Sequence, residues 1–314
     1  MKGKLYLLLA FSLAGTSVIT GYLLFEKLGS FTVTSVSLGI MLLCLSPFYG
    51  RKTVQTIHLL GRSDWKMLLL QAFFGIFLFR IFLLLGVGLT STVEAGILIG
   101  TTPAITSLLA YFVLKERPSG WAAIGIAGTV LGIALLEGVN LNSAAFAMQH
   151  TWGNVLILCA AASESTFSIL SRRHRVRQLH DTTIQIHPIV QTLLVSAIAF
   201  VLSAIPALWE NPLGNLQGIG TREWLALIWY GLIVTALAFV FFYAGVKRCD
   251  AYTTAAFSGM IPLTSMLLSL LFLQESVGYE QWAGGLLIIT SMLLIGAKKA
   301  GSAPRPVRTS ARQL

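Results

Sequence analysis

The fold is decided by residues 91–137, which read STVEAGILIGTTPAITSLLAYFVLKERPSGWAAIGIAGTVLGIALLE. This stretch contains two apolar runs joined by a short charged turn, and the first run has a proline near its middle. The pattern returns 159 positions later, where Pro262 and Glu275 are thirteen residues apart, as Pro103 and Glu116 are. Over the seventeen residues that end at Glu116, six are identical to their counterparts. The chain is therefore predicted to be an internal duplication.

The composition is that of a membrane protein. Apolar residues make up 55% of the chain, charged residues only 11%, and the mean hydropathy is +0.79. These values are far from those of a water-soluble domain. A helix needs about 20 apolar residues to cross roughly 30 Å of hydrocarbon. Ten such runs predict an all-α polytopic membrane protein, with spans at approximately 5–25, 31–50, 65–87, 91–113, 121–137, 152–171, 183–207, 223–246, 252–273 and 282–297.

The basic residues predict how the chain crosses the membrane. With the N-terminus in the cytoplasm, the inside segments hold 19 of the 22 Lys and Arg residues, and the outside segments hold only Lys27 and Arg222. Because cytoplasmic loops are enriched in Lys and Arg, both termini of this multi-pass plasma-membrane protein are predicted to be cytoplasmic. Because each repeat has an odd number of spans, the second repeat enters the membrane from the side opposite to the first. Inverted repeats are typical of secondary transporters.

The chain divides into two repeats, a linker and a tail. The repeats are predicted at residues 1–137 and 152–297, the extracytoplasmic linker at 138–151, and a disordered basic cytoplasmic tail at 298–314. The sequence contains no HExxH, Walker A or GxSxG motif and no His/Cys cluster. We therefore predict no enzyme activity, metal or cofactor. The basic residues lie between apolar runs, which indicates that they determine the topology of the chain in the membrane and do not bind nucleic acid.

Two charges near the outer side of the bilayer are predicted to pair. Arg80 lies fifteen residues, or about 22 Å, into span three, and Glu94 lies at a matching depth near the start of span four. Charges within a span are costly and are usually kept for a reason. An ion pair that ties spans three and four together is the first interpretation, and a direct substrate contact at the outer mouth is the alternative.

Glu164 is predicted close to the midplane of the bilayer, about 18 Å into span six. No basic residue has a matching depth, and its neighbours are small and polar. A carboxyl group in such a place can couple to protons or bind an amine; the alternative is a protonated Glu that hydrogen-bonds between helices. His187, about 9 Å into span seven, could form a proton relay with Glu164. Alternatively, it fills a kink at Pro188.

Prolines and aromatic residues add further candidates. Pro103 and Pro262 each remove an intrahelical hydrogen bond from the fourth span of their repeat. They are predicted to be either symmetric hinges or static kinks that widen a cavity. In span eight, Trp229 and Tyr243 are candidates for an aromatic cavity wall, with plain packing as the alternative.

These features together resemble those of a known family. The two five-span repeats, each with a proline-bearing fourth span, a Leu-x-Glu at its end and a fifth span with Trp and Gly, are similar to the EamA domains of the drug/metabolite transporter superfamily. The resemblance covers Leu5 to Ala297. It implies a ten-helix exporter in which spans one to four of each half surround a central cavity. Members of that family often have an arginine in span two, where this chain has Ser37 or its neighbours.

The functional prediction follows from the repeats and the resemblance. We expect a secondary transporter that exports a small amphiphilic metabolite, such as an amino acid, an amine or a drug-like compound, and that couples export to a proton or substrate gradient. Its partners would be this small molecule, the lipid bilayer and protons. Two alternatives stay open. One is a uniporter or exchanger of a sugar-derived or nucleotide-linked metabolite, and the other is a non-transporting membrane scaffold or sensor.

Overall fold

A computed structural model describes residues 2–25, 27–87, 89, 98–115, 120–136, 151–180, 185–268, 271 and 278–297. All regular secondary structure in these residues is helical. We group the described helices into ten segments, numbered as spans one to ten, with a short further helix between spans seven and eight. The all-α fold with ten helices in two repeats is thus confirmed.

The first repeat contains spans one to five. Span one consists of two helices, span two of one long helix and span three of a helix with a central π-helical segment. Their bounds are Lys2–Gly15 and Ser17–Phe25 for span one, Ser30–Leu59 for span two, Arg62–Ala72, Phe73–Leu78 and Phe79–Val87 for span three, Thr102–Leu114 for span four and Gly120–Leu136 for span five.

The second repeat contains spans six to ten. A 3-10 turn, Leu208–Glu210, and a short helix, Pro212–Gln217, connect spans seven and eight. The bounds are Thr151–His180 for span six, Pro188–Ala207 for span seven, Thr221–Trp229, Tyr230–Leu237 and Ala238–Val246 for span eight, Ala251–Phe257 and Met260–Leu268 for span nine and Tyr279–Ala297 for span ten. By length and composition, the helices of spans two, three, six, seven and eight could each cross a membrane on their own.

Three helix boundaries differ from the sequence prediction. Span two continues to Leu59 and span six to His180, because a helix can extend past the apolar run into a polar surrounding. Span seven begins at Pro188 instead of residue 183. Proline suits the first turn of a helix, where its missing N–H would have no intrahelical partner. The predicted kink at Pro188 is therefore wrong.

The spans pack in a two-fold pattern. Span five packs against span ten, and span two packs against span seven. Span one packs against spans eight and nine, while span six packs against spans three and four. This second set is the same arrangement with the two repeats exchanged. The shared core contains side chains from both repeats, including Leu7, Leu38, Val195 and Phe242. Each repeat therefore completes the packing of the other.

Spans three and eight share two features at matching positions, a capping carboxylate at the start and a π-helical segment further along. Each begins with a carboxylate, Asp64 or Glu223, that accepts a hydrogen bond from the N-cap amide three residues earlier. Each also contains a π-helical segment, at Phe73–Leu78 and Tyr230–Leu237. Asp64 and Glu223 are 159 positions apart, the same offset as in the fourth spans. The internal duplication therefore includes the third spans, and π-helical segments are frequent at functional sites.

The fourth span of each repeat is broken just before its proline. Turns at residues 100–101 and 258–259 interrupt the helices of spans four and nine. Pro103 and Pro262 follow these turns and lie in the first turn of the next helix. The prolines therefore begin helices after a break and do not kink a continuous helix. Broken helices of this kind form the binding sites of many transporters.

Candidate functional site

Polar side chains bridge the two repeats at both ends of the bundle. We call one end the basic end: there span six ends and span three begins, and Arg62, Lys66, Arg175 and Lys247 lie nearby. At the opposite end, span one ends and span eight begins. The two ends are described in turn.

Gln71 is the centre of a buried network at the basic end. Its Oε1 accepts hydrogen bonds from Nε2 of Gln191, at 3.0 Å, and from the hydroxyl of Tyr243, at 3.0 Å. Its Nε2 lies 3.2 Å from Nδ1 of His174, whose Nε2 lies 3.3 Å from Oδ1 of Asp64. Because the Gln71 oxygen already accepts, its amide nitrogen donates to Nδ1. This hydrogen-bond pattern assigns the His174 proton to Nε2, which donates to Asp64.

The two aromatic candidates of span eight have different positions. Tyr243 is 2% exposed and belongs to the Gln71 network. Trp229 is 44% exposed and lies on the same outer face as Leu225 and Ile228, with its indole N–H donating to the Thr16 hydroxyl. This placement favours a site role for Tyr243, whereas Trp229 does not line the interior.

The opposite end is held by two carboxylates of the second repeat. Nζ of Lys27 lies 2.5 Å from Oε1 of Glu223. Glu210 accepts hydrogen bonds from the backbone N–H groups of Phe31 and Thr32 and from the Thr32 hydroxyl. A carboxylate at a helix N-terminus satisfies unpaired N–H groups and stabilises the helix dipole. Lys27 and the start of span two are thus tied to the second repeat.

The two bridges, the His174–Asp64 hydrogen bond and the Lys27–Glu223 ion pair, are counterparts within the duplication. Asp64 and Glu223 have equivalent positions at the start of the third span of their repeats. Lys27 and His174 each lie just beyond the apolar run of the first span of their repeats. Each pair joins one residue of the first repeat to one of the second. The inversion therefore places one bridge at each end of the bundle.

Arg80 is buried between spans two, three and eight. Its side chain is 5% exposed. Nη1 donates to the Ser37 hydroxyl at 3.3 Å, and Nη2 donates to the Thr235 hydroxyl at 2.7 Å. The guanidinium carbon lies 4.4 Å from the centre of the Tyr230 ring, within the range of a cation–π interaction. The predicted partner Glu94 lies outside the described residues.

Glu164 lies on the inward side of span six. The exposed residues Val155, Leu158 and Ala162 form one stripe along this helix. At roughly 100° per residue, Glu164 is about 200° around the helix from Ala162. Its side chain is nevertheless partly exposed, and it has no hydrogen-bond or ion-pair partner among the residues that the structure describes. Its carboxyl group therefore lies on the side of span six opposite the exposed stripe, partly exposed and without a described partner.

His187 lies at the start of span seven and not within it. It is the N-cap residue, and its Nδ1 accepts from the backbone N–H of Ile189 at 3.4 Å. Partial burial and then the positive charges of Lys247 and Lys52 lower the pKa of His187. Along span six, Glu164 lies about 15 Å before His174 of the basic end. No hydrogen bond or ion pair joins His187 to Glu164 among the described residues, so the relay between them stays a prediction.

The residues of both bridges, and those of the Gln71 network other than Tyr243, were not predicted from the sequence. The offset of 159 positions could have related Asp64 to Glu223, since Trp65 and Trp224 beside them have the same spacing. No comparable signal identifies their partners. Among the described residues, no group of three His, Cys, Asp or Glu side chains is arranged to hold a metal ion.

The fold and the two bridges define a class of protein, a polytopic all-α membrane protein with two interlocked five-span repeats. A family model described as the EamA-like transporter family matches residues 1–137 and residues 151–297, once in each repeat. The chain belongs to this transporter family, and the resemblance found in the sequence is confirmed.

Curated relatives cover most of the chain. The uncharacterized transporter YetK of Bacillus subtilis (strain 168) is 28% identical over 297 residues, which are 92% of this chain and 85% of YetK. The aromatic amino acid exporter YddG of Ancylobacter novellus is 28% identical over 231 residues, which are 72% of each chain. One crystal structure superimposes with a TM-score of 0.71 over 93% of this chain and 95% of that one. At 19% identity, this last likeness concerns the fold alone.

Proposed function

We propose that this protein is a secondary active transporter that exports a small amphiphilic metabolite by alternating access. The observation that carries the proposal is the pair of bridges, Asp64 with His174 and Lys27 with Glu223. A transporter that opens its two ends in turn must break contacts at one end while it keeps those at the other. One bridge per end, related by the duplication, provides contacts suited to this motion.

The direction of transport and the substrate class are supported by relatives. Besides the aromatic amino acid exporter, a relative in Salmonella typhimurium is named a probable amino-acid metabolite efflux pump. An amino acid, an amine or a drug-like compound is therefore the proposed substrate. The distribution of Lys and Arg supports a plasma-membrane protein with its basic end and both termini in the cytoplasm.

The moving parts in this proposal are the broken fourth spans. The breaks before Pro103 and Pro262 are the hinges, since a turn held by i→i−3 hydrogen bonds bends at lower cost than a continuous α-helix. Glu164 is the proton-exchanging or amine-binding group, because its carboxyl is unpaired among the described residues and faces the interior.

Cysteine cross-linking tests the alternating motion. In a background without the three native cysteines, cysteines replace both members of either the opposite-end bridge or the basic-end bridge. Each pair is joined with a bifunctional methanethiosulfonate, because the native side chains meet at their ends and leave the Cβ atoms too far apart for a direct disulfide. The purified variants are reconstituted in proteoliposomes and assayed for counterflow of a panel of amino acids, amines and cationic drugs. Variants with only one of the two cysteines are the matched controls.

Each cross-linked pair should stop transport, and reduction should restore it, because a closed end can no longer open. The single-cysteine controls should transport at the same rate with the reagent and after reduction. Transport at the parental rate by both pairs, with the cross-links verified by mass spectrometry, would show that neither end has to open, and the alternating-access proposal would be rejected.

A further inference from the structure

A narrow pocket at the basic end lies beside the Gln71 network. Its lining comes from spans six and seven and from the end of span eight, and it consists mainly of Ser171, His174, Arg175, Gln191, Tyr243 and Lys247. Four of these side chains, those of Ser171, His174, Gln191 and Tyr243, are at most 5% exposed. The floor of the pocket is therefore inside the bundle. No carboxylate is among its described lining residues.

Arg175 contributes unused hydrogen-bond donors to this pocket. Its Nε and Nη1 are buried and have no hydrogen-bond partner among the residues that the structure describes. Three charges that act on it, those of Arg172, Arg248 and Lys247, are of the same sign. Buried N–H groups of a cation are stabilised best by an anionic acceptor. The surroundings of Arg175 thus favour the binding of an anion.

Lys247 adds a second positive charge. Its ammonium group has three N–H donors, and one of them binds the backbone carbonyl of Ile186. Burial and then the positive charges of Arg175 and Arg248 lower the pKa of Lys247 to about 8. An anion in the pocket would offset this repulsion, so the two cations favour the same ligand.

We propose that this pocket binds the carboxylate group of a small molecule, with Arg175 and Lys247 as its charged partners. Guanidinium and ammonium groups both form short, charge-assisted hydrogen bonds with carboxylates. The side chains of Ser171, Gln191 and Tyr243 provide the polar lining around the group. The role of the site rests on the proposed function: it is the first contact of an anionic or zwitterionic substrate that enters from the basic end.

The phosphate of a lipid headgroup has similar oxyanion chemistry but a different size. The pocket floor lies among spans six, seven and eight, where its side chains are almost completely buried. A phosphate that carries two acyl chains would have to draw those chains between packed helices. A small carboxylate has no such chains to accommodate.

Benzoate and benzamide are suitable probes, since they share a ring and differ in charge. Binding of each radiolabelled compound is measured at pH 7 to the full-length protein in nanodiscs of phosphatidylcholine. Wild type should bind benzoate and show no saturable binding of benzamide. Arg175→Gln should weaken benzoate binding at least tenfold, and the matched variant of an exposed arginine, Arg173→Gln, should leave it unchanged. Lys247→Gln gives the same test if Arg175→Gln does not fold.

Equal benzoate binding by wild type and by Arg175→Gln or Lys247→Gln would overturn the inference, as would equal binding of the two probes. A tenfold loss of benzoate affinity in nanodiscs with phosphatidylglycerol would assign the pocket to lipid headgroups and also overturn it. Binding in nanodiscs is measured without a transmembrane gradient, so it does not depend on transport. Arg175-dependent binding in a protein that transports nothing would leave the site in place and reject the transport proposal alone.

Discussion

Glu164 and Arg80 are both charged residues of the bundle interior, but they differ in their partners. Arg80 contacts two hydroxyl groups and one aromatic ring, whereas Glu164 has no partner among the described residues. A paired interior charge holds helices together, and an unpaired one is available to a ligand or a proton. The two residues therefore call for different experiments, one on stability and one on coupling.

Glu164→Gln tests proton coupling. Glutamine has nearly the same shape as glutamate but cannot release a proton. We expect the variant to bind a transported compound while it loses substrate-driven proton flux, measured with a pH-sensitive dye in proteoliposomes. Glu280→Gln, at an exposed position in span ten, is the control and should behave as wild type. Proton flux at the wild-type rate in Glu164→Gln would remove this residue from the coupling mechanism.

Arg80→Lys tests whether the interior cation stabilises the bundle. A lysine lacks the planar guanidinium, so it cannot donate to Ser37 and Thr235 together while it lies against the ring of Tyr230. We expect a loss of about 1–3 kcal/mol, the usual value of a hydrogen bond to a charged group, and a lower thermal unfolding temperature in detergent. Arg173→Lys at the surface should unfold as wild type does. If both variants unfold alike, the contacts of Arg80 do not contribute to stability.

At the scale of the helices, the sequence predicted which spans exist better than it predicted the residues at which they begin and end. Long apolar runs located all ten spans, because the thickness of the bilayer sets a length that composition alone can show. Span ends were less predictable, since the helix of span two continues through polar residues to Leu59. The π-helical segments were not predicted at all. They depend on how side chains of neighbouring helices pack, which apolar periodicity does not encode.

Gly231→Ala tests the close contact of spans two and eight. A Cβ atom at Gly231 would collide with the backbone oxygen of Ser37, so the two helices would have to separate. We expect a loss of about 1–3 kcal/mol in the free energy of unfolding, as is typical of overpacking. Gly50→Ala is the control, because a Cβ there meets nothing within 4 Å. It should stabilise its helix by about 0.5–1 kcal/mol. Equal unfolding temperatures for the two variants would contradict the close contact.

At the scale of the whole molecule, the duplication was predictable and the contacts between its halves were not. The offset of 159 residues relates Asp64 to Glu223. Their partners, His174 and Lys27, are brought to them only by the packing of span six on span three and of span one beside span eight. Helices that are far apart in the sequence come into contact only when the whole bundle is packed, so a local sequence pattern does not identify their contacts. This is why the sequence identified Glu164 and Tyr243 as candidates but neither of the bridges.

Reversing one charge of the opposite-end bridge tests whether the two ends move in opposition. Lys27→Glu replaces attraction to Glu223 with repulsion, so it should favour the form that is open at that end. Alkylation of Thr32→Cys, a buried opposite-end position, should become faster, and alkylation of Ile186→Cys, a buried basic-end position, should become slower. Adding Glu223→Lys should return both rates towards wild type, because the pair is restored with its charges exchanged. Faster alkylation at both ends would indicate a loosened bundle and contradict alternating access. Opposite changes at the two ends are expected only if the repeats move as coupled bodies.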